Sequence, residues 1–272
     1  MEIIGYLASV IIGISLGLIG GGGSILTVPV LVYLFHVDTV LATAYSLFIV
    51  GTTSLVGAAP KYRQGLVNLK TGLIFGIPSI AAVFATRKYI VPAIPDHIAN
   101  IGSMELTKGV LIMTLFAVLM VFASVSMIKE KKQNGNNGNG STPPEQQPVQ
   151  YNYPMILLEG AVVGVLTGLV GAGGGFLIIP ALVLFTKLPM KMAVGTSLLI
   201  IAAKSLIGFT GDLGHYQIDW KLLGSVTLLA VAGIFIGNAL SKKVDGAKLK
   251  KAFGWFVLVM GFYILAKEIF FS

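Results

Sequence analysis

Residues 16–32 read LGLIGGGGSILTVPVLV, and residues 167–183 read TGLVGAGGGFLIIPALV. The offset is 151 residues (Gly20 to Gly171), and without a gap it also aligns Pro29 with Pro180, Ser46 with Ser197, Ser54 with Ser205 and Gly57 with Gly208. Chance likeness between apolar stretches does not hold glycines, prolines and serines in one register, so the chain contains an internal duplication. Composition decides what kind of chain was duplicated. Of 272 residues, 55% are apolar and 11% charged, against roughly 25% charged in a soluble domain. The charge is also clustered: Ile3–Phe35, Thr39–Pro60, Gly109–Ile128, Gly160–Thr186 and Leu222–Ser241 carry none. About 20 apolar residues at ~1.5 Å rise cover a ~30 Å hydrocarbon core. This is an all-α polytopic membrane protein.

The net charge of +8 lies in short lysine clusters between apolar spans. That pattern fits loops facing anionic membrane lipid and argues against nucleic acid as a partner. The chain has no cysteine, which excludes disulfide and thiol chemistry. The start, MEIIGYLASV, lacks a basic n-region, so the first helix reads as part of the mature protein. Residues 129–153, KEKKQNGNNGNGSTPPEQQPVQYNY, cannot bury enough apolar surface to order themselves and read as a flexible linker. The linker separates a first transmembrane repeat, 1–128, from a second, 154–272.

Helices are expected near 3–19, 24–35, 40–59, 70–88 and 107–128, and again near 155–171, 175–186, 190–210, 221–241 and 251–270. Five crossings per half, with the linker in the cytoplasm, put Lys61, Arg63, Lys70, Lys129, Lys131, Lys132, Lys187, Lys191 and the Lys242–Lys251 cluster on the inside. Arg87 and Lys88 then form a basic pair on the outside, and the loop holding Asp212 and Asp219 also falls outside. Four crossings per half would place Lys242–Lys251 outside, against the positive-inside rule. An odd number makes the repeats inverted, with both termini outside. The location expected is a prokaryotic plasma (inner) membrane.

The second helix of each half is too short to span. Ser24–Phe35 covers about 18 Å of a ~30 Å core. The glycine runs Gly20–Gly23 and Gly171–Gly175 are therefore expected at the tips of sunken hairpins meeting near the midplane from opposite sides. Paired interruptions of this kind point to a transporter's central site. Non-helical backbone at this depth must be buried in protein or line a cavity. The following helices would aim free N–H groups and a partial positive charge at an anion. The candidate contacts are Gly20, Gly21, Gly22, Gly23 and Ser24 in one half and Gly171, Gly173, Gly174 and Gly175 in the other; close helix packing through small residues is the alternative.

Lys204 sits in LLIIAAKSLIGF, mid-helix, where its repeat counterpart is Thr53. A charge at a helix centre costs roughly 2.5–3.5 kcal/mol on insertion scales, so it usually faces a cavity. The structural alternatives are snorkelling and pairing with Glu159. Around it, Ser46, Thr53, Ser54, Thr196, Ser197 and Ser205 could donate to an oxyanion or simply bond between helices. Asn68 and Asp219 precede helices as N-caps. Arg63 and His215 read as solvated loop residues, with His36, Asp38 and Glu159 as secondary proton-relay candidates. No metal-ligand spacing, catalytic triad or nucleotide motif occurs, so neither a metal nor another cofactor is expected, and enzyme chemistry is not indicated.

GLIGGGGSILTVP, GLVGAGGGFLIIP, AVGTSLLIIAAKSLIGF, RQGLVNLK and HYQIDW together make the chain resemble the sulfite exporter TauE/SafE family, across nearly its whole length apart from the linker. Ser24 stands where the second half has Gly175. The resemblance implies an integral membrane transporter of small anions, with members linked to sulfite, sulfonates such as sulfoacetate and related sulfur compounds. The reading is a secondary transporter, an exporter working by alternating access, with a small anionic substrate as partner. The coupling ion and homo-oligomer formation are left open. A cation-coupled or cation-selective carrier and a non-transporting membrane scaffold are the competing readings.

Overall fold

The computed structural model describes residues 2–101, 104–128, 153–186, 188–241 and 246–270. The linker expectation at 129–152, and Lys187, Lys242 and Lys243 of the charge map, lie outside the described residues. The first half runs α1 (Glu2–Ile19), a 3₁₀ segment (Gly20–Leu26), α2 (Thr27–Tyr33), α3 (Thr39–Arg63) and α4 (Leu69–Ala85). A π turn (Thr86–Ile90) and the single turn α5 (Val91–Ala93) follow, then β1 (His97–Ile101), β2 (Met104–Thr107) and α6 (Lys108–Ile128). The second half runs α7 (Tyr153–Val170), α8 (Gly175–Phe185), α9 (Met190–Thr210), α10 (Trp220–Leu240) and α11 (Gly246–Phe270). Among the described residues, 6 segments are long and apolar enough to cross a membrane: Ile3–Tyr33 through its 3₁₀ stretch, Thr39–Arg63, Leu69–Ala93, Lys108–Val125, Lys191–Thr210 and Trp220–Leu240. The protein is a multi-pass helical membrane protein.

Two local features differ from expectation. The first glycine run is not an irregular turn followed by a helix from Ser24. It coils as a 3₁₀ segment, and the α-helix begins only at Thr27. Ser24 supplies a reason: its Oγ donates to the Gly21 carbonyl at 2.8 Å, a local bond that Gly175 cannot make. In the second half Gly171, Gly173 and Gly174 adopt φ of +71°, +65° and +68°, which glycine alone enters freely, and α8 starts at Gly175 as expected. The second departure is the hairpin β1–β2, paired antiparallel with Ile101 opposite Met104, in the stretch between the helices expected near 70–88 and 107–128.

Three helix starts follow from their caps. The Asp38 carboxylate accepts from Val40 N and Leu41 N, Asn68 from Thr71 N, and Asp219 from Lys221 N and Leu222 N. The N-cap reading of Asn68 and Asp219 holds. Asp38 is a cap as well, beside His36 at φ +55° in the break between α2 and α3.

The principal helix pairs are α1 with α10, α3 with α9, α4 with α7 and α6 with α11; every one crosses between the halves. Small residues set the distance. A Cβ on Gly13 would meet Ala230 and Gly233, and one on Gly17 would meet Gly237 and Asn238. The mirrored contacts join Gly164 to Ser79 and Ala82, and Gly168 to Thr86, each number displaced by 151. Contact order gives direction. Along α1 and α10 the numbers rise together, so those helices run parallel. Along α3 and α9, Leu47 lies by Gly208, Gly51 by Leu206, Gly57 by Leu198 and Lys61 by Gly195, so they run antiparallel. The same holds for α6 and α11, where Gly254 meets Met127 and Gly261 meets Met120. Ile3, Leu7, Leu73, Ile77, Phe122, Leu228, Phe235 and Val259 are exposed on the outer faces, an apolar belt suited to acyl chains.

Candidate functional site

The two glycine turns meet. A Cβ on Gly175 would overlap the Cα, C and O of Gly21, and one on Gly21 would stand 2.6 Å from the Gly175 Cα. Gly20 lies against Val194, Gly171 against Thr43, and Gly173 against Val50 and Ile201, so the turns are wedged between α3 and α9. Gly22 faces Ile19 and Met127, and Gly23 abuts the backbone of Ser15 and Leu16. All of them, with Ser24, are buried. The runs come together as expected, but in direct backbone contact, with no space held open between Gly21 and Gly175.

Lys204 is fully buried. Its Nζ donates to Thr167 Oγ1 at 2.9 Å, and that hydroxyl donates to the Gly164 carbonyl at 3.3 Å. A Cβ on Gly174 would lie 2.9 Å from the same Nζ, so the ammonium rests directly over the N-cap of α8. Among the described residues no carboxylate partners it. The Glu159 alternative does not form; Glu159 Oε2 is buried without a hydrogen-bond partner of its own. A lysine ammonium and a helix N-terminus are both positive, and placing them together without a counter-charge builds a site that favours an anion.

The hydroxyls sort into spent and free. Thr53 donates to the Ile49 carbonyl at 2.6 Å and Ser197 to the Val194 carbonyl at 2.9 Å, while Thr196 accepts from Asn68 N at 2.9 Å. Ser46, Ser54 and Ser205 are buried with no partner for Oγ. Helical periodicity puts Thr43, Ser46, Val50 and Ser54 on one face of α3, and Val194, Ser197, Ile201, Lys204 and Ser205 on one face of α9. Thr43 and Val50 of α3 and Val194 and Ile201 of α9 touch the glycine turns, so the free serines share those faces. His215 is an exposed loop residue, as expected, whereas Arg63, also exposed, closes α3 instead of lying in the loop.

One pair adds to the sequence reading. Arg87 and Asp212, both assigned to outer segments by the charge map, are buried, with side chains 0% and 1% exposed. The π turn rotates Arg87 inward, where Nε donates to Asp212 Oδ2 at 2.7 Å. Its Nη1 donates to Thr43 Oγ1 at 2.9 Å and to the Gly168 carbonyl at 3.3 Å. The sequence reading gave neither Arg87 nor Thr167 a place in the site. Arg87 carries one signal in retrospect: the Arg87–Lys88 pair is followed by the apolar YIVPAI, which does not suit a solvated loop.

Comparison with known proteins adds the following. The family model described as "Sulfite exporter TauE/SafE" matches residues 5–264. A Xylella fastidiosa (strain 9a5c) protein named "Probable membrane transporter protein" is 27% identical over 260 residues, 94% of this chain and 91% of its own length. "Probable membrane transporter protein YdhB" of Bacillus subtilis (strain 168) is 28% identical over 244 residues, 89% of this chain and 91% of its own. "Probable membrane transporter protein MJ0441" of Methanocaldococcus jannaschii is 33% identical over 117 residues, 41% of this chain and 44% of its own. No solved structure matches.

Proposed function

The chain belongs to the sulfite exporter TauE/SafE family, matched over residues 5–264, and from that premise we propose that it exports a small anion, a sulfur oxyanion or organosulfonate such as sulfite or sulfoacetate, by alternating access between two inverted five-helix repeats. The family and its relatives are membrane transporters, not enzymes. Inversion is supported by the antiparallel packing of α3 on α9 and of α6 on α11, which occupy equivalent places in the duplicated sequence. The anion would bind where the glycine turns meet, accepting from Lys204, from the N–H groups at the start of α8 and from the free hydroxyls of Ser46, Ser54 and Ser205. The linker would be cytoplasmic and the termini outside, in the plasma membrane of a prokaryote.

The observation that carries this reading is Lys204 over Gly174: a fully buried ammonium, bonded to a hydroxyl and facing a helix N-terminus, with no carboxylate beside it among the described residues. A bound oxyanion would offset that charge. The test is a thermal-shift panel of sulfite, sulfate, thiosulfate, taurine and sulfoacetate on detergent-purified wild type and Lys204→Met. A ligand at 100 times its Kd stabilises the wild type by about 2.7 kcal/mol. Losing the charge-assisted bond costs about 1.5–3 kcal/mol, roughly tenfold or more in affinity, while the ligand-free variant melts at or above wild type because an unpaired buried charge is gone. Unchanged affinity in a folded variant removes Lys204 from the site.

A further inference from the structure

A cavity of about 440 Å³ opens where α3 begins, lined in part by Asp38, Val40, Asp96, Lys108, Tyr216 and Glu268. From its wall a run of bonded and touching groups leads to the second glycine turn. The Val40 carbonyl accepts from Thr43 Oγ1 at 2.6 Å, one helical turn deeper, and the backbone and Cβ of Thr43 abut Gly171. Arg87 lies alongside, donating to that same Thr43 hydroxyl. Tyr216 in the cavity wall is bridged to Leu213, next in sequence to Asp212. The Arg87–Asp212 pair stands one side chain, Thr43, from the second glycine turn.

The pair is poorly satisfied for something so deeply buried. An arginine and a carboxylate usually meet as a two-pronged fork. Here only Nε reaches Asp212, leaving Arg87 Nη2, Asp212 Oδ1 and the neighbouring Thr86 Oγ1 buried without partners. Buried donors and acceptors are rarely left unpaired because each costs its full desolvation. The pair also joins the two halves, Arg87 from the first and Asp212 from the second, so relative movement of the halves must strain or break it.

We propose that Arg87 is a second anion-binding residue, beside the second glycine turn, and that Asp212 is the resident carboxylate which the substrate oxyanion displaces from it. The proposal rests on the anion-transport reading above. A sulfite or sulfonate presents three oxygens, so it can accept from Nε and Nη2 together, which Asp212 does not do in its present pose. Displacement would also release the tie between the halves, linking arrival of the anion to their movement.

Two variants decide it, with affinities for sodium sulfite and sodium sulfoacetate read on detergent-purified protein at matched ionic strength in chloride. Asp212→Asn keeps the shape and removes the competing charge, so both anions should bind about tenfold tighter or better. The double variant Arg87→Met/Asp212→Asn strands no charge and so remains foldable even where the single variant does not. It should bind about tenfold weaker than wild type. Unchanged or weaker binding by Asp212→Asn, or wild-type affinity in the double variant, overturns the proposal and leaves the pair as a structural tie. Failure of wild type to bind either anion would instead count against the anion-transport reading itself, so the two failures are distinguishable.

Discussion

Replacing Gly175 by alanine tests whether the two glycine turns touch in the folded protein. Ordinary van der Waals contact for a Cβ begins near 3.4 Å, and an alanine at Gly21 would start 2.6 Å from the Gly175 Cα, so the backbones would have to part by about 0.8 Å. At Gly175 the overlap is worse, because three backbone atoms of Gly21 lie under the new methyl group and none can rotate away. Gly175 opens α8 and has no left-handed φ, so the penalty is steric rather than conformational. Overpacking a close contact costs about 1–3 kcal/mol, and the rigidity of both partners puts this one near the upper value. For a chain of this size that is a fall in Tm of roughly 5–10 °C. Gly224→Ala is the internal control: a Cβ there meets nothing within 4 Å, and inside α10 it should gain up to about 1 kcal/mol. Thermal unfolding of both variants, followed by tryptophan fluorescence in one detergent, gives the comparison. A Gly175→Ala protein that melts with wild type would refute the contact between the two turns.

Removing the cap of α10 with Asp219→Ala should cost about 1 kcal/mol of stability and leave anion affinity unchanged; a change in affinity would give Asp219 a role beyond capping. The cysteine-free sequence permits a clean topology test at two exposed residues, one at the end of α3 and one in the loop before α10. In intact cells an impermeant thiol reagent should label His215→Cys and spare Arg63→Cys, and the reverse pattern would turn the proposed orientation over.

The helices were legible because the property that makes them, an uncharged apolar run, is local and long. Their caps were legible for the same reason: Asn68 and Asp219 act within three residues of themselves. What could not be read was whatever depends on a partner far along the chain. Arg87 follows an apolar helix, and apart from the apolar stretch at 89–94 it reads locally as a residue that has reached water; Asp212, 125 residues later, is the charge that makes its burial tolerable. Lys204 could be recognised as buried from its flanks, yet Thr167 as its partner could not. The glycine runs fall between these cases. Their place and pairing followed from the repeat, but the 3₁₀ coiling of Gly20–Leu26 turns on the bond from Ser24 to Gly21, at the one position of the motif where the halves carry serine and glycine.

The pairing of α1 with α10 and α4 with α7 has a consequence for synthesis. Gly13 waits for Gly233, so more than two hundred residues must be translated before the seam on α1 can close. At about 5–20 residues per second that is roughly 10–40 s, long enough for the first half to sit in the bilayer with its glycine grooves open to lipid. During that interval the nascent half has equivalent helices but no complementary surface, and a second nascent chain offers the same grooves. The half-made protein is therefore the stage most exposed to degradation and to mispairing between copies, and variants that weaken the seams should lower yield in cells more than they lower the melting temperature of what survives.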